Sequence, residues 1–243
     1  MAGALEQIAG DGAVLVVVAA PAEARAVLAA WGRGEVAEEM EPWRPLTLAS
    51  HLDLVLTGVG KANAAAGLAR AFDADRHRAA ISLGVAGMLP GSGLGLGQVV
   101  VGERSVYADE GGVTPEGFVD IAAMGFPPDL LVGVDASTAR SADPSLVEVL
   151  RPLVDRSGDI ATVSTCSGTD HWSFLVQERT AAIAEAMEGA ALAFTAAQLR
   201  RADGATLPFA EVRVISNTTG DRDAQKWDLP KALAQVGEVG AAL

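Results

Sequence analysis

Five apolar runs, each closed by a turn or a polar break, limit what this chain can fold into. The run AVLVVVAA at 13–20 is β-branched and apolar throughout. It leads into PAEARAVLAAWG, where Pro21 suits a first helical position and Ala, Glu and Arg follow. The order recurs in LDLVLTGVG then KANAAAGLARAF, in DIATVSTCSG then DHWSFLVQERTAAIA, and in FAEVRVISN then LPKALAQVGEV; AAISLGVAG leads into a Gly-rich loop instead. Strands apolar on both faces and separated by helical patterns predict an α/β fold, with a largely parallel or mixed sheet covered on both sides. In such a sheet the functional groups gather at the carboxyl ends of the strands. The segment QVVVGERSVYAD, 98–109, has no helix before it and is expected to be a longer, twisted or antiparallel excursion. The polar stretch 135–145 reads as a surface loop. With no repeat or linker along the chain, residues 1–243 are expected to form one domain.

Charge and cysteine content narrow the function. A net charge of −13 leaves no basic patch for nucleic acid or for an anionic membrane. The single cysteine, Cys166, excludes an internal disulfide, and with three scattered histidines it offers no metal site of recognisable spacing; it reads as a small buried apolar residue. The first apolar run lacks a basic segment before it and is too short to span a bilayer, so the expected location is the cytoplasm. Two apparent nucleotide motifs fail. GSGLGLG, 91–97, cannot accommodate G-x-G-x-x-G and precedes a strand. GVGKA, 58–62, lacks the earlier Gly, and Ala62 stands where a magnesium-binding hydroxyl is required, so Lys61 reads as a helix-start residue.

What remains are polar strand ends: APAE after the first strand, GVAG at 84–87, STCSGTD at 164–170, AMEGA at 186–190 and SNTTGDRD at 216–223. On one rim they would surround a cleft rich in hydroxyls with two carboxylates and an amide, suited to a neutral, hydroxylated small molecule. The motifs GVGKANAAAG, LGVAGML, AEAMEGAALA and RVISNTTGDRD together resemble the purine nucleoside phosphorylase and nucleosidase superfamily, in the branch near methylthioadenosine/S-adenosylhomocysteine nucleosidase. The ending ISNTTGDRDAQKW is most similar to the futalosine hydrolase family. The resemblance runs from Val14 to about Leu233. It implies a mixed, twisted, partly barrel-like sheet flanked by helices, a homodimer, and cleavage of a ribosyl N-glycosidic bond in a nucleoside without metal or cofactor.

The resemblance also assigns residues. Asn217 matches the position where relatives acting on adenine nucleosides carry Asp; its amide can donate to the N7 and O6 acceptors of a 6-oxopurine, which an ionised Asp would repel. Asn can equally turn to satisfy adenine, and a strand-end Asn also makes Asx turns. Met187 and Glu188 match the family's Met-Glu pair, whose carboxylate accepts from the ribose 2′ and 3′ hydroxyls. By propensity alone TAAIAEAMEGAALAFTAAQLRR is one long helix with Glu188 solvated, whereas the resemblance implies a short strand ending near Met187 and a helix after Glu188. The family's extra acid two residues before Glu188 is replaced by Ala186. Glu23 matches the acid that activates water, and as a first-turn acid it also suits the helix dipole. Val85, Ala86, Gly87 and Ser216 complete the expected substrate contacts. Arg222 and Lys226 are candidates for a distal carboxylate of the substrate or for plain surface charges. The Gly-Asp-Pro turn that helps phosphorylases bind phosphate is absent, which favours water as nucleophile, while Arg25 keeps phosphate open. The expected activity is release of hypoxanthine from futalosine. Other purine nucleosidases or phosphorylases, and a silent nucleoside-binding protein, are the alternatives.

Overall fold

The computed structural model describes residues 2–126, 128 and 138–243. Helix α1 (Ala2–Ala9) precedes strand β1 (Ala13–Val18), helix α2 (Pro21–Ala30), the pair β2 (Leu46–Ala49) and β3 (Leu52–Leu56), and helix α3 (Lys61–Ala71). Then come β4 (His77–Met88), β5 (Val99–Tyr107), a small hairpin of β6 (Gly111–Thr114) and β7 (Gly117–Asp120), β8 (Ala139–Ser141), α4 (Pro144–Leu150) and β9 (Arg156–Thr162). The chain closes with α5 (Asp170–Thr180), β10 (Ala184–Ala186), α6 (Gly189–Gln198), β11 (Phe209–Thr218) and α7 (Leu229–Ala242). Among the described residues no helix is long and apolar enough to cross a membrane.

The main sheet runs in the order β10-β9-β5-β11-β4-β1-β3-β2, with β8 beside β5. β10 also pairs antiparallel with β4, so β4, β11, β5, β9 and β10 close into a ring, the partly barrel-like sheet. All six residues of β1 are buried. Val14, Val16 and Val18 pack with Leu5 of α1, Val27 and Leu28 of α2 and Val236 and Val239 of α7. Leu15 and Val17 face the opposite layer, with Leu68 of α3 and Leu192 of α6. That alternation follows from the period of two in a strand. Burying each such Val or Leu contributes ~1.5 to 3 kcal/mol, which is why the β-branched runs are legible in the sequence.

Of three local expectations, one holds and two are corrected. β5 is indeed the excursion foreseen at 98–109: it pairs antiparallel with β11 and parallel with β9, with a register shift between Gly102 and Ser105. The propensity for one long helix over 180–201 is overridden, because Ala184–Ala186 pair with Ile160–Thr162 of β9 while Ala184 and Glu185 also pair with Met88 and Gly87 of β4. Tertiary pairing on both edges outweighs the helix preference of alanine. The stretch 135–145 is more than a surface loop. Residues 135–137 lie outside the described residues, but Ala139–Ser141 form β8 against β5, and Asp143 caps α4 by accepting from the Ser145 and Leu146 N–H groups.

Helices α2 and α7 cross closely where a Cβ on Gly237 would stand 2.8 Å from the Ala26 carbonyl oxygen. Gly237→Val is therefore expected to destabilise the fold by ~1 to 3 kcal/mol through overpacking, read as a lowered urea midpoint. An unchanged midpoint would show that the two helices can part without cost.

Candidate active site

The polar strand ends meet at one cleft on the carboxyl rim of the sheet. Ala19, Ala20 and Glu23 reach it after β1, Val85, Ala86 and Gly87 from β4, and Cys166 and Ser167 after β9. Glu185, Met187 and Glu188 come from β10 and the turn into α6, Ser216 and Asn217 from β11, and Arg222, Gln225 and Trp227 from the loop beyond. Nine of the residues expected to contact substrate or act on it, Glu23, Val85, Ala86, Gly87, Met187, Glu188, Ser216, Asn217 and Arg222, line this one cleft.

Glu23 is buried, and its carboxylate is held by three backbone donors. Oε2 accepts from the Ala19 N–H at 3.0 Å and the Ala20 N–H at 2.8 Å, and Oε1 accepts from the Val85 N–H at 2.9 Å. The side chain thus caps the start of α2 and bridges it to β4 while facing the cleft. The acid is thus a helix-start partner and a lining group of the cleft in one geometry.

Glu188 sits at the cap position of α6. Its Oε1 accepts from the Gly60 N–H at 3.0 Å and its Oε2 from the Met187 N–H at 3.3 Å, and the Arg213 guanidinium lies 3.6 Å away. Arg213 is 2% exposed and also pairs with Glu211 at 3.2 Å and donates to Ser82 Oγ at 2.9 Å. The Ser105 hydroxyl closes the cluster by donating to Glu211. Sequence reasoning missed Arg213 and Glu211. The signal was present: two charges two residues apart, hence on one face, in a strand otherwise apolar.

Asn217 is placed by a β-bulge. Register with β4 jumps between Ile215, opposite Ala86, and Asn217, opposite Gly87, which re-aims the side chains at the strand end. The Ser216 hydroxyl lies 2.8 Å from Asn217 Oδ1, and Asn217 Nδ2 donates to the Thr218 carbonyl at 2.9 Å. One amide hydrogen is therefore engaged, and only the other is left for a ligand in this rotamer. The chain then folds back, the Thr218 N–H donating to Lys226 O and the Asp228 N–H to Ser216 O. Asp170 and Asp221 exchange backbone-to-carboxylate bonds of 3.0 Å, fixing this loop to the start of α5. The Arg222 guanidinium lies over the Trp227 ring at 5.7 Å, at the cleft wall.

Other expectations are corrected. Cys166 is exposed at the cleft, its Sγ 3.6 Å from Met187 Sδ, and not a buried apolar residue, because the loop after β9 turns it outward. Lys226 is exposed and lies outside the cleft lining. Arg25 pairs with Glu38 at the surface, away from the cleft. Lys61 does open α3, and it also pairs with Asp109 and Glu110. Ala186 leaves no acid at its position, but its neighbour Glu185, which sequence reasoning passed over, faces the cleft and accepts from the Ser167 N–H and hydroxyl.

Residues 14–243 match the family model of the phosphorylase superfamily. The chain belongs to the phosphorylase superfamily. It is 34% identical over 199 residues to the futalosine hydrolase of Acidothermus cellulolyticus, covering 79% of this chain and 74% of that relative. The futalosine hydrolase of Streptomyces coelicolor is 33% identical over 194 residues, with 75% and 74% covered. Among solved structures, the native futalosine hydrolase of Helicobacter pylori superposes with a TM-score of 0.67 at 17% identity, covering 96% of this chain and 95% of that one. The 5′-methylthioadenosine/S-adenosylhomocysteine nucleosidase of the same organism gives 0.69 at 17% identity, covering 96% of each chain. At that identity the two structures establish the shared fold alone.

In this phosphorylase-superfamily cleft, burial governs the acids. It raises the Glu23 carboxyl above the ordinary 4.5, against the lowering effect of its backbone donors and of Arg213. It raises Glu185 likewise, against the Ser167 bonds. A folded-state value above the unfolded one means that the native state holds the proton longer. Its contribution to stability is complete below about pH 4.5 and is lost as pH rises through the folded value. Glu23→Gln removes one such titration. The decline of unfolding free energy above that pH is expected to flatten in the variant, measured by urea unfolding across pH 4.5 to 8. A decline identical to wild type would show that Glu23 ionises normally in the fold.

Proposed function

We propose that this chain hydrolyses the N-glycosidic bond of futalosine, releasing hypoxanthine and dehypoxanthine futalosine. The observation that carries the reading is identity of 33–34% to futalosine hydrolases over three quarters of the chain. The cleft gives it chemical sense. Breaking the bond puts positive charge on the sugar and negative charge on the base, so the site must favour both. Glu188, held by the Gly60 and Met187 N–H groups and by Arg213, is positioned to accept from the ribose hydroxyls, with Met187 against the sugar. Glu23, fixed by three N–H donors and with its carboxyl raised by burial and so made more basic, suits activation of a water molecule. The free N–H of Asn217 suits the N7/O6 edge of the leaving base, beside Ser216 and the Val85–Gly87 strand end. Arg222 and Trp227 offer a cation and an aromatic face to the carboxylate-bearing arm of the substrate.

Water is the proposed nucleophile. Arg213 is already engaged by Glu188 and Glu211, and Arg25 lies elsewhere, which leaves little for a phosphate to bind. The enzyme is proposed to act in the cytoplasm as a homodimer. The direct test is hypoxanthine release from futalosine by the purified protein, with and without phosphate. Release only with phosphate would convert the reading to a phosphorylase, and release from methylthioadenosine alone would convert it to the neighbouring nucleosidase activity.

Glu188→Gln is expected to keep the fold and lose most of kcat, because the amide lacks the charge that favours a cationic sugar. A contact of that kind is worth ~2 to 4 kcal/mol, about a hundredfold in rate or more. Turnover near wild type would remove Glu188 from the reaction.

Asn217→Asp tests the base edge. An ionised carboxylate facing N7 and O6 is repulsive, while a protonated one can donate to N7 and accept from a 6-amino group. The ratio of base release from futalosine to that from its 6-amino analogue is expected to fall in this variant, most at lower pH. A ratio equal to wild type across pH would show that Asn217 does not read the base.

A further inference from the structure

Three strands present their residues at one level of the cleft. Gly87 of β4 is in register with Glu185 of β10 on one side and with Asn217 of β11 on the other. Residues paired in this way share a face of the sheet, and a Cβ on Gly87 would stand 3.1 Å from Asn217 Nδ2. A Cβ there would also stand 2.9 Å from Thr219 Cγ2, so there is no room for a side chain and the backbone itself forms the floor between an amide donor and a carboxylate whose strands lie about 10 Å apart, two strand spacings.

Glu185 is 5% exposed. Its bonds are to Ser167, Oε1 accepting from the backbone N–H at 2.8 Å and Oε2 from the hydroxyl at 2.5 Å. A carboxylate has about four acceptor positions, so this anchorage fixes its direction and leaves two of them. Holding the loop after β9 accounts for the Ser167 bonds but not for placing an acceptor-only group in the wall of a base-binding cleft.

We infer that Glu185 accepts the N1–H of a 6-oxopurine and so sets, with Asn217 on the opposite flank, the base specificity of the cleft. The inference rests on the proposed reading of the cleft as a purine nucleoside site. A 6-oxopurine carries a proton on N1 next to the O6 acceptor, whereas a 6-aminopurine presents a lone pair at N1. An ionised carboxylate attracts the first and repels the second, and a site built for one hydrogen-bond pattern rejects the other because its own buried groups are then left unpaired. The family's acid two residues before Glu188 is absent here, and the acid at 185 lies on the adjacent pleat, facing the level of Gly87 and Asn217.

The test has two arms. In the first, calorimetry compares hypoxanthine, 1-methylhypoxanthine and adenine on the wild-type protein. Hypoxanthine is expected to bind at least about tenfold more tightly than the other two, the scale of one hydrogen bond to a charged group; equal binding of hypoxanthine and its 1-methyl derivative overturns the inference. In the second, base release from futalosine and from its 6-amino analogue is compared for wild type and Glu185→Gln. The amide keeps an acceptor for Ser167 but can also donate to an unprotonated N1, so the 6-oxo preference is expected to fall by about ten- to a hundredfold with little change in thermal midpoint. An unchanged ratio in a folded variant overturns the inference. If the variant does not fold, the wild-type arm decides. A wild-type protein that binds hypoxanthine through N1–H yet leaves futalosine intact would sink the proposed reaction and uphold Glu185; one that cleaves futalosine but ignores N1 methylation does the reverse.

Discussion

The cleft is organised around one buried cation. Arg213 projects from the middle of β11 with 2% of its surface exposed, and a guanidinium cannot shed its charge there. It needs carboxylates, and the fold supplies Glu211 two residues earlier on the same strand and Glu188 at the start of α6. Removing one partner from such a pair leaves a bare charge and costs ~3 to 5 kcal/mol. The β10–α6 turn is thereby tied to the central strand, and Glu188 is oriented before any substrate arrives. Packing alone would not do this, since α6 is an alanine-rich helix that could slide on its apolar face.

Close approach of backbone and charge makes that cluster possible. A Cβ on Gly84 would stand 2.5 Å from Glu23 Oε1 and 3.4 Å from Arg213 Nη1, and one on Gly189 would overlap the Glu211 carboxylate. The two glycines are the space in which the acids sit. Leu83 beside Gly84 on β4 and Val212 beside Glu211 on β11 are ordinary core residues. The sheet therefore changes from an apolar support to a charged one over a single pleat.

The fold was legible because β1 is apolar on both faces and β3, β4 and β11 are largely so, and burial of that much Val, Leu and Ala leaves few alternatives. The nine expected cleft residues were legible from local motifs joined by resemblance, since the strand ends carry small polar residues that no core would select. The helix and strand boundaries at 184–189 were not readable from propensity, because the pairing that decides them involves residues 160–162 and 87–88, far away in sequence. Cys166 was misplaced for the same reason: its exposure is set by a loop pinned through Ser167 to Glu185 and Gln225, contacts that composition does not encode. Arg213 and Glu211 were visible as charges in an apolar strand, but their partners lie on β4, β5 and the α6 turn, so their meaning required the sheet order.

The balance of charge around the cleft then bears on the chemistry. Glu23, Glu185, Glu188 and Glu211 stand near a buried region where Arg213 is the internal cation and Arg222 lies at the wall. Glu188 adds to burial in raising the carboxyls of Glu23 and Glu211, so their charged forms are less favoured here than in water. Negative charge is thus concentrated around the cleft, with Arg213 as its buried counter-charge. On the proposed reading, a sugar that becomes cationic as its bond breaks meets this charge only at that moment. A neutral ribose gains little from it, so the electrostatic benefit falls on the transition state, where it lowers the barrier rather than merely tightening binding. On the same reading the N7/O6 edge of the base calls for a neutral amide: an ionised acid at position 217 would face two acceptors and oppose the charge that develops on the departing purine.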